Sequence, residues 1–197
     1  MILDALDANL PPVLETAPWM LADGGALDVD RCPDCWERRA HIERYAWACK
    51  VCTGMRVLDF GCGVGYGSEM LMEAGNAVTG LDSSQTAVRL AALNHPGPRY
   101  KILLEGTPTW DACVAFEVLE HMYNPQRFID EVPARHLIVS VPVRPSPNPL
   151  HLHQFSVERM REMLERRFVI RSWWIQVEPY HSEPSIAIWH ARLGEAR

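Results

Sequence analysis

At 197 residues the chain is long enough for one α/β domain with a full core and too short for two well-developed ones. A formal charge of −6 argues against long, sequence-independent contact with duplex nucleic acid, which needs a basic surface to release counterions, although a local basic patch stays open. No apolar run approaches the ~20 residues of a membrane span, and Met1 to Leu10 carries acids where a signal peptide would carry bases. The expected compartment is therefore the cytoplasm, with the six cysteines as reduced thiols.

Residues 1 to 36 hold proline turns, a Gly24-Gly25 break and few periodic apolar positions, so they are expected to lie over the domain as an arm or lid. Glu37 to Cys52 reads as a helix with Ile42, Tyr45, Ala46, Cys49 and Cys52 on one face, and it leads into a strand at Arg56 to Phe60. A glycine-rich turn opens the next helix. Ala77 to Leu81 is a second strand, after which Ser83 or Ser84 can cap a helix over Gln85 to Leu93. Strands are expected at Tyr100 to Leu104 and Asp111 to Phe116, and Asn124-Pro125 starts a short helix over Gln126 to Val132. A fifth strand, His136 to Val141, stops at a proline-rich loop that runs from Pro142 to Pro149. Ser156 caps a helix over Val157 to Arg167, and the alternating segments Phe168 to Gln176 and Ser185 to Ala191 should pair antiparallel.

The most informative segment is Asp59-Phe60-Gly61-Cys62-Gly63-Val64-Gly65-Tyr66, followed by Asp82 at the end of the second strand. Glycines at a strand-to-helix turn let a ligand approach the backbone, and an acid about 20 residues on can accept ribose hydroxyl hydrogens. Tyr66 occupies the place of the third glycine of a dinucleotide fingerprint. Asp59 would repel a pyrophosphate but suits a ligand carrying an ammonium group.

On these residues the chain resembles the class I S-adenosylmethionine-dependent methyltransferases. The resemblance covers roughly residues 41 to 191 and implies a Rossmann-like α/β fold. Its sheet would be mostly parallel and seven-stranded with an antiparallel last strand and helices on both faces, and the single domain would have residues 1 to 40 as its arm. It implies S-adenosyl-L-methionine held by Asp59, Gly61, Cys62, Gly63, Gly65, Tyr66, Asp82, Ser83, Glu105 and Glu117. Within His41-x-x-Arg44-Tyr45, either Arg44 or Tyr45 would touch the cofactor's carboxylate.

A second constellation lies at the carboxyl end of the fourth strand, the cofactor side of an open α/β sheet. There Glu117-Val118-Leu119-Glu120-His121 resembles a Glu-x-x-Glu-His form shared by many small-molecule methyltransferases, ubiquinone-pathway O-methyltransferases and RNA 2′-O-methyltransferases. One reading makes His121 and His153 the hydrogen-bonding or base residues of an acceptor pocket, with imidazoles suited to proton uptake near neutral pH. The other makes Glu117, Glu120, His121 and His153 ligands of Mg²⁺ or Mn²⁺. Cys32, Cys35, Cys49 and Cys52 form two Cys-x2-Cys pairs at a spacing close to that of structural zinc sites, while Cys62 and Cys113 read as packing residues.

The expected activity is methyl transfer to oxygen or nitrogen of a small-molecule, glycan or lipid-like acceptor. The alternatives are a metal-dependent O-methyltransferase acting on a vicinal diol such as a terminal ribose of RNA, and a module that binds the cofactor without transferring from it.

Overall fold

A computed structural model describes residues 35–104, 108–146, 148–178 and 183–194; residues 1–34 of the expected arm, and with them Cys32, lie outside the described residues, as does Glu105. Seven strands form one sheet in the order β3-β2-β1-β4-β5-β7-β6. These are β1 (Arg56–Phe60), β2 (Ala77–Leu81), β3 (Arg99–Lys101), β4 (Trp110–Phe116), β5 (Ala134–Pro142), β6 (Phe168–Val177) and β7 (Pro184–Leu193). β1 runs parallel to β2 and β4, β2 to β3, and β4 to β5, while β7 is antiparallel to both β5 and β6. The strand order reverses about β1, so the crevice of the sheet opens beyond the carboxyl ends of β1 and β4.

Both faces are covered, which explains why the inner strands read as continuous apolar runs. On one face Leu58, Cys113, Leu137, Val139 and the fully buried Trp189 pack with α4 (Pro125–Glu131) and α5 (Val157–Glu165), through Phe128, Ile129, Met160 and Leu164. On the other, Val57, Val78, Val114, Ile138 and Ile188 pack with α1 (Trp36–Val51) and α2 (Tyr66–Glu73), through Tyr45, Ala48 and Leu71. Neighbours such as Val57 and Leu58 enter opposite cores because side chains alternate across a strand.

Helix starts follow their side chains. Asn124 caps α4 ahead of Pro125, and Ser156 caps α5. Of the two serines offered for α3 (Gln85–Asn94), Ser84 caps it, accepting from the Ala87 N–H at 3.0 Å. β3 is shorter than expected: it ends at Lys101, and Ile102 and Leu103 are exposed beyond it. It is an edge strand paired only with β2, so an apolar run alone does not continue it. α1 presents a different stripe from the one its pattern predicts. Ala40, Arg44, Tyr45 and Ala48 are buried, whereas Ile42 and Ala46 are only half-buried. The helix is rotated to take a guanidinium inward, a choice that apolar periodicity cannot register.

Candidate cofactor and acceptor site

The glycine loop folds back onto β2 through its backbone. The N–H groups of Gly61 and Cys62 both donate to the Leu81 carbonyl, at 2.7 and 3.1 Å, and the Gly63 N–H donates to Asp82 Oδ2 at 2.9 Å. Asp82 Oδ1 accepts from the Ser84 N–H at 2.9 Å. Two backbone donors thus orient the carboxylate, which can accept about four hydrogen bonds. Gly61 and Gly65 lie at φ +75° and +93°, the left-handed region that favours glycine. A Cβ on Gly65 would also meet Tyr100 Oη at 2.6 Å and Ala91 Cβ at 2.7 Å. Loop and acid are therefore one hydrogen-bonded unit, with Ser83 exposed beside it.

Asp59 stands behind this loop. It is fully buried, its Oδ1 accepting from Tyr45 O–H at 2.9 Å and its Oδ2 from Ser68 O–H at 2.6 Å. Burial pushes its carboxyl up to about 6 despite those two donors. Its observed contacts tie α1 and α2 to β1, where an ammonium contact was expected. Tyr45 stacks edge-on to Tyr66 and Phe116, and its ring lies so close to Gly67 that a side chain there would overlap it. Tyr66 hydrogen-bonds His41 Nδ1 at 2.7 Å. Burial, then the Arg44 charge, holds that imidazole well below its ordinary value and therefore neutral. Arg44 is fully buried, yet its Nε and Nη2 have no hydrogen-bond partner among the described residues. A buried guanidinium left this way is matched by a carboxylate.

The second constellation assembles at the end of β4. Glu117 lies at φ +56°, a backbone conformation uncommon outside glycine. It is pinned by Ser140 of β5, whose O–H donates to Glu117 Oε1 at 2.8 Å and whose carbonyl accepts from the Glu117 N–H at 3.1 Å. Glu120 is buried, and neither carboxyl oxygen has a hydrogen-bond partner among the described residues. Burial, then the neighbouring Glu117, pushes its carboxyl well above the usual range. The loop after β5 closes over it, because the Leu152 and His153 N–H groups donate to the Glu120 carbonyl at 2.7 and 3.2 Å. His121 Nδ1 donates to the Leu150 carbonyl at 2.9 Å, which leaves the lone pair on Nε2. Burial lowers the pKa of His121, so it is neutral near pH 7.

His151, expected only as part of the active-site wall formed by Asn148 to His153, joins this cluster. Its ring packs edge-on against His121, 4.9 Å between centroids, and burial followed by the His121 charge lowers its pKa to about 4. Ligating atoms of Glu120, His121 and His151 lie within 4.8 Å of one another, the one such group among the described residues. The expected ligand set paired His153 with Glu117, Glu120 and His121; the observed group instead holds His151, while His153 Nε2 is buried without a hydrogen-bond partner. The available signal was the spacing of His151-x-His153 in a loop, where two histidines that close cannot be ranked without the fold.

Among the described residues the expected cysteine ligands do not assemble into a zinc site. Cys35 is disulfide-bonded and caps α1, and so offers no thiolate. Cys49 is a thiol donating to the Met70 carbonyl at 3.3 Å, and Cys52 is buried in the core with its pKa pushed up by burial to about 12. Cys62 and Cys113 are buried thiols, as expected of packing residues, and Cys35 is the exception to the expected reduced state.

Residues 58–137 match a family described as Methyltransferase domain. A protein of Mycolicibacterium smegmatis, named as a probable S-adenosylmethionine-dependent methyltransferase, is 30% identical over 148 residues, 66% of this chain and 57% of its own length. A ubiquinone biosynthesis O-methyltransferase of a Caulobacter species is 33% identical over 86 residues, 39% of this chain and 34% of its own. The chain thus spans little more than half of the first relative and about a third of the second. Among solved structures, the N-methyltransferase NodS from Bradyrhizobium japonicum, in complex with S-adenosyl-L-homocysteine, superimposes with a TM-score of 0.69. It is 17% identical, with 84% of this chain and 91% of that one covered. The fold is that of the class I S-adenosylmethionine-dependent methyltransferases, and the family match and the curated relatives point to the same class. Among the described residues no helix is long and apolar enough to cross a membrane.

Proposed function

We propose that the chain transfers the methyl group of S-adenosylmethionine to an oxygen or nitrogen of a small-molecule, glycan or lipid-like acceptor in the cytoplasm. The observation that carries this reading is the loop tied to Asp82 through the Gly63 N–H, with the Arg44 guanidinium on α1, whose Nε and Nη2 have no hydrogen-bond partner among the described residues. In it Asp82 holds the ribose, Gly61 to Gly65 and Tyr66 pass along the methionine portion, and Arg44 takes the carboxylate. Bound donor supplies an electrophilic methyl on a sulfonium.

Transfer is an in-line displacement: the acceptor lone pair forms the new bond to carbon, the carbon–sulfur bond breaks, and its electron pair stays on sulfur as a thioether. The protein's part is alignment and exclusion of water. An acceptor that carries a proton at neutral pH passes it to His121 Nε2, kept available because Nδ1–H is engaged by Leu150. His153 lines the same pocket. The test is production of S-adenosylhomocysteine across an acceptor panel, together with calorimetry of Asp82→Ala, expected to weaken S-adenosylhomocysteine binding by about 1 to 3 kcal/mol. Unchanged affinity sinks the donor assignment.

A second reading is favoured by Glu120, His121 and His151, whose ligating atoms converge around two buried carboxyl oxygens that have no hydrogen-bond partner. These residues would hold Mg²⁺ or Mn²⁺, which when bound lowers the pKa of an acceptor hydroxyl. His121 would then be a ligand and no longer the base. Turnover that survives EDTA and Glu120→Ala excludes this version; loss restored by Mn²⁺ selects it.

A further inference from the structure

Gln176 lies near the end of β6, beside an irregularity in the pairing with β7 between Gln176 and Val177, and it is buried although Ile175 and Val177 on either side are more exposed. Its amide has a definite orientation. The NH2 donates to the Ala40 carbonyl at 3.0 Å and to Glu43 Oε2 at 2.8 Å, both on α1. The amide oxygen accepts from Arg44 Nη1 at 2.6 Å, across 132 residues of sequence. With Nη1 held there, the Arg44 Nε and Nη2 edge is the part of the guanidinium left to face a ligand, and both atoms are buried without partners. The Arg44 charge is felt at His41, at Tyr66 beside the glycine loop and at Glu120 after β4, so the guanidinium lies near both sides of the crevice.

We propose that Gln176 is a positioning residue for donor recognition: it fixes the guanidinium plane of Arg44 so that Nε–H and Nη2–H present a fork to the carboxylate of S-adenosylmethionine. The inference rests on the donor reading above. A planar fork discriminates strongly only when its plane is set, since bidentate recognition depends on two parallel N–H bonds. A neutral amide suits this task better than a carboxylate, because it orients the guanidinium without cancelling the charge that the ligand needs. It also accounts for a polar side chain turned into the α1-facing core beside Ile186.

Calorimetry with S-adenosylhomocysteine and with its decarboxylated analogue, which lacks only the carboxylate, tests the proposal. Gln176→Met should weaken S-adenosylhomocysteine by about tenfold and leave the analogue within about twofold, as expected on misaligning a charge-assisted bond. In an Arg44→Met background the same substitution should have no further effect, because Gln176 acts through Arg44. Equal losses for both ligands, unchanged S-adenosylhomocysteine affinity, or additive losses in the double variant would each overturn the proposal. If Gln176→Met does not fold, Gln176→Asn, which draws the amide back from Nη1, is read by the same criteria. Failure of the unmodified protein to bind S-adenosylhomocysteine would instead overturn the donor assignment itself.

Discussion

The two halves of the crevice are built on opposite principles. On the β1–β2 side, loop N–H groups meet the Leu81 carbonyl and the Asp82 carboxylate, and the buried Asp59 accepts from two hydroxyls. On the β4–β5 side, Glu120 keeps both oxygens without hydrogen-bond partners, His153 Nε2 likewise, and Glu117 holds a left-handed backbone. Buried polar atoms left this way are costly, and native structures tolerate them where a ligand or chemistry uses them. The β1–β2 half is a hydrogen-bonded cradle apart from the Nε and Nη2 edge of Arg44, whereas the β4–β5 half keeps several polar atoms without partners among the described residues.

That contrast can be broken most directly at His121. His121→Ala should lower kcat by about 10²- to 10⁴-fold for a protic acceptor while leaving S-adenosylhomocysteine affinity within about twofold. Because burial lowers the pKa of His121, kcat/KM should rise with pH through a value below the ordinary 6.5 and level off above it. A rise centred above 6.5 would point to another base.

The β1–β2 half should respond in stability and binding together. Gly65→Ala forces a Cβ against Ala91 and Tyr100 at a left-handed position, and a loss of roughly 3 kcal/mol in unfolding free energy is expected by denaturant titration. Next comes Asp59, whose folded pKa of about 6 lies above its ordinary 3.8. A raised folded pKa contributes stability that is fully present below 3.8 and lost as pH rises through 6. On the order of 2 to 3 kcal/mol should therefore disappear across that window. Asp59→Asn should flatten this part of a melting-temperature profile, and an unaltered slope would remove Asp59 as its source. The smallest effect is expected from Ser84→Ala, about 1 kcal/mol for a lost helix cap, with a weaker hold on Asp82 only if the Ser84 N–H shifts. A large loss of donor affinity there would mean that the cradle is less preformed than its hydrogen bonds imply.

Legibility in the sequence followed the range of the interactions. The first two strands, the loop and Asp82 were readable because strand, glycine turn and acid are short-range features, and the Gly63 to Asp82 bond closes over only 19 residues. The antiparallel end was readable because β6 and β7 are neighbours in the chain. The α1 face was misjudged because a buried arginine violates apolar periodicity and is balanced from Gln176, 132 residues away. The described cysteines of the metal-like pattern diverge, with Cys35 capping α1, Cys49 turned to α2 and Cys52 to the core.

By itself, the sequence determined the β1–β2 side of the crevice: glycines where the backbone must turn left-handed and an acid where a strand ends are local demands that residue type alone can state. Tertiary structure decided which histidine joins Glu120 and His121, that Asp59 accepts from Tyr45 and Ser68, and how Arg44 is aimed. Each of those outcomes depends on burial and on partners brought together by sheet order, and neither quantity is written in the spacing of residues along one strand or loop.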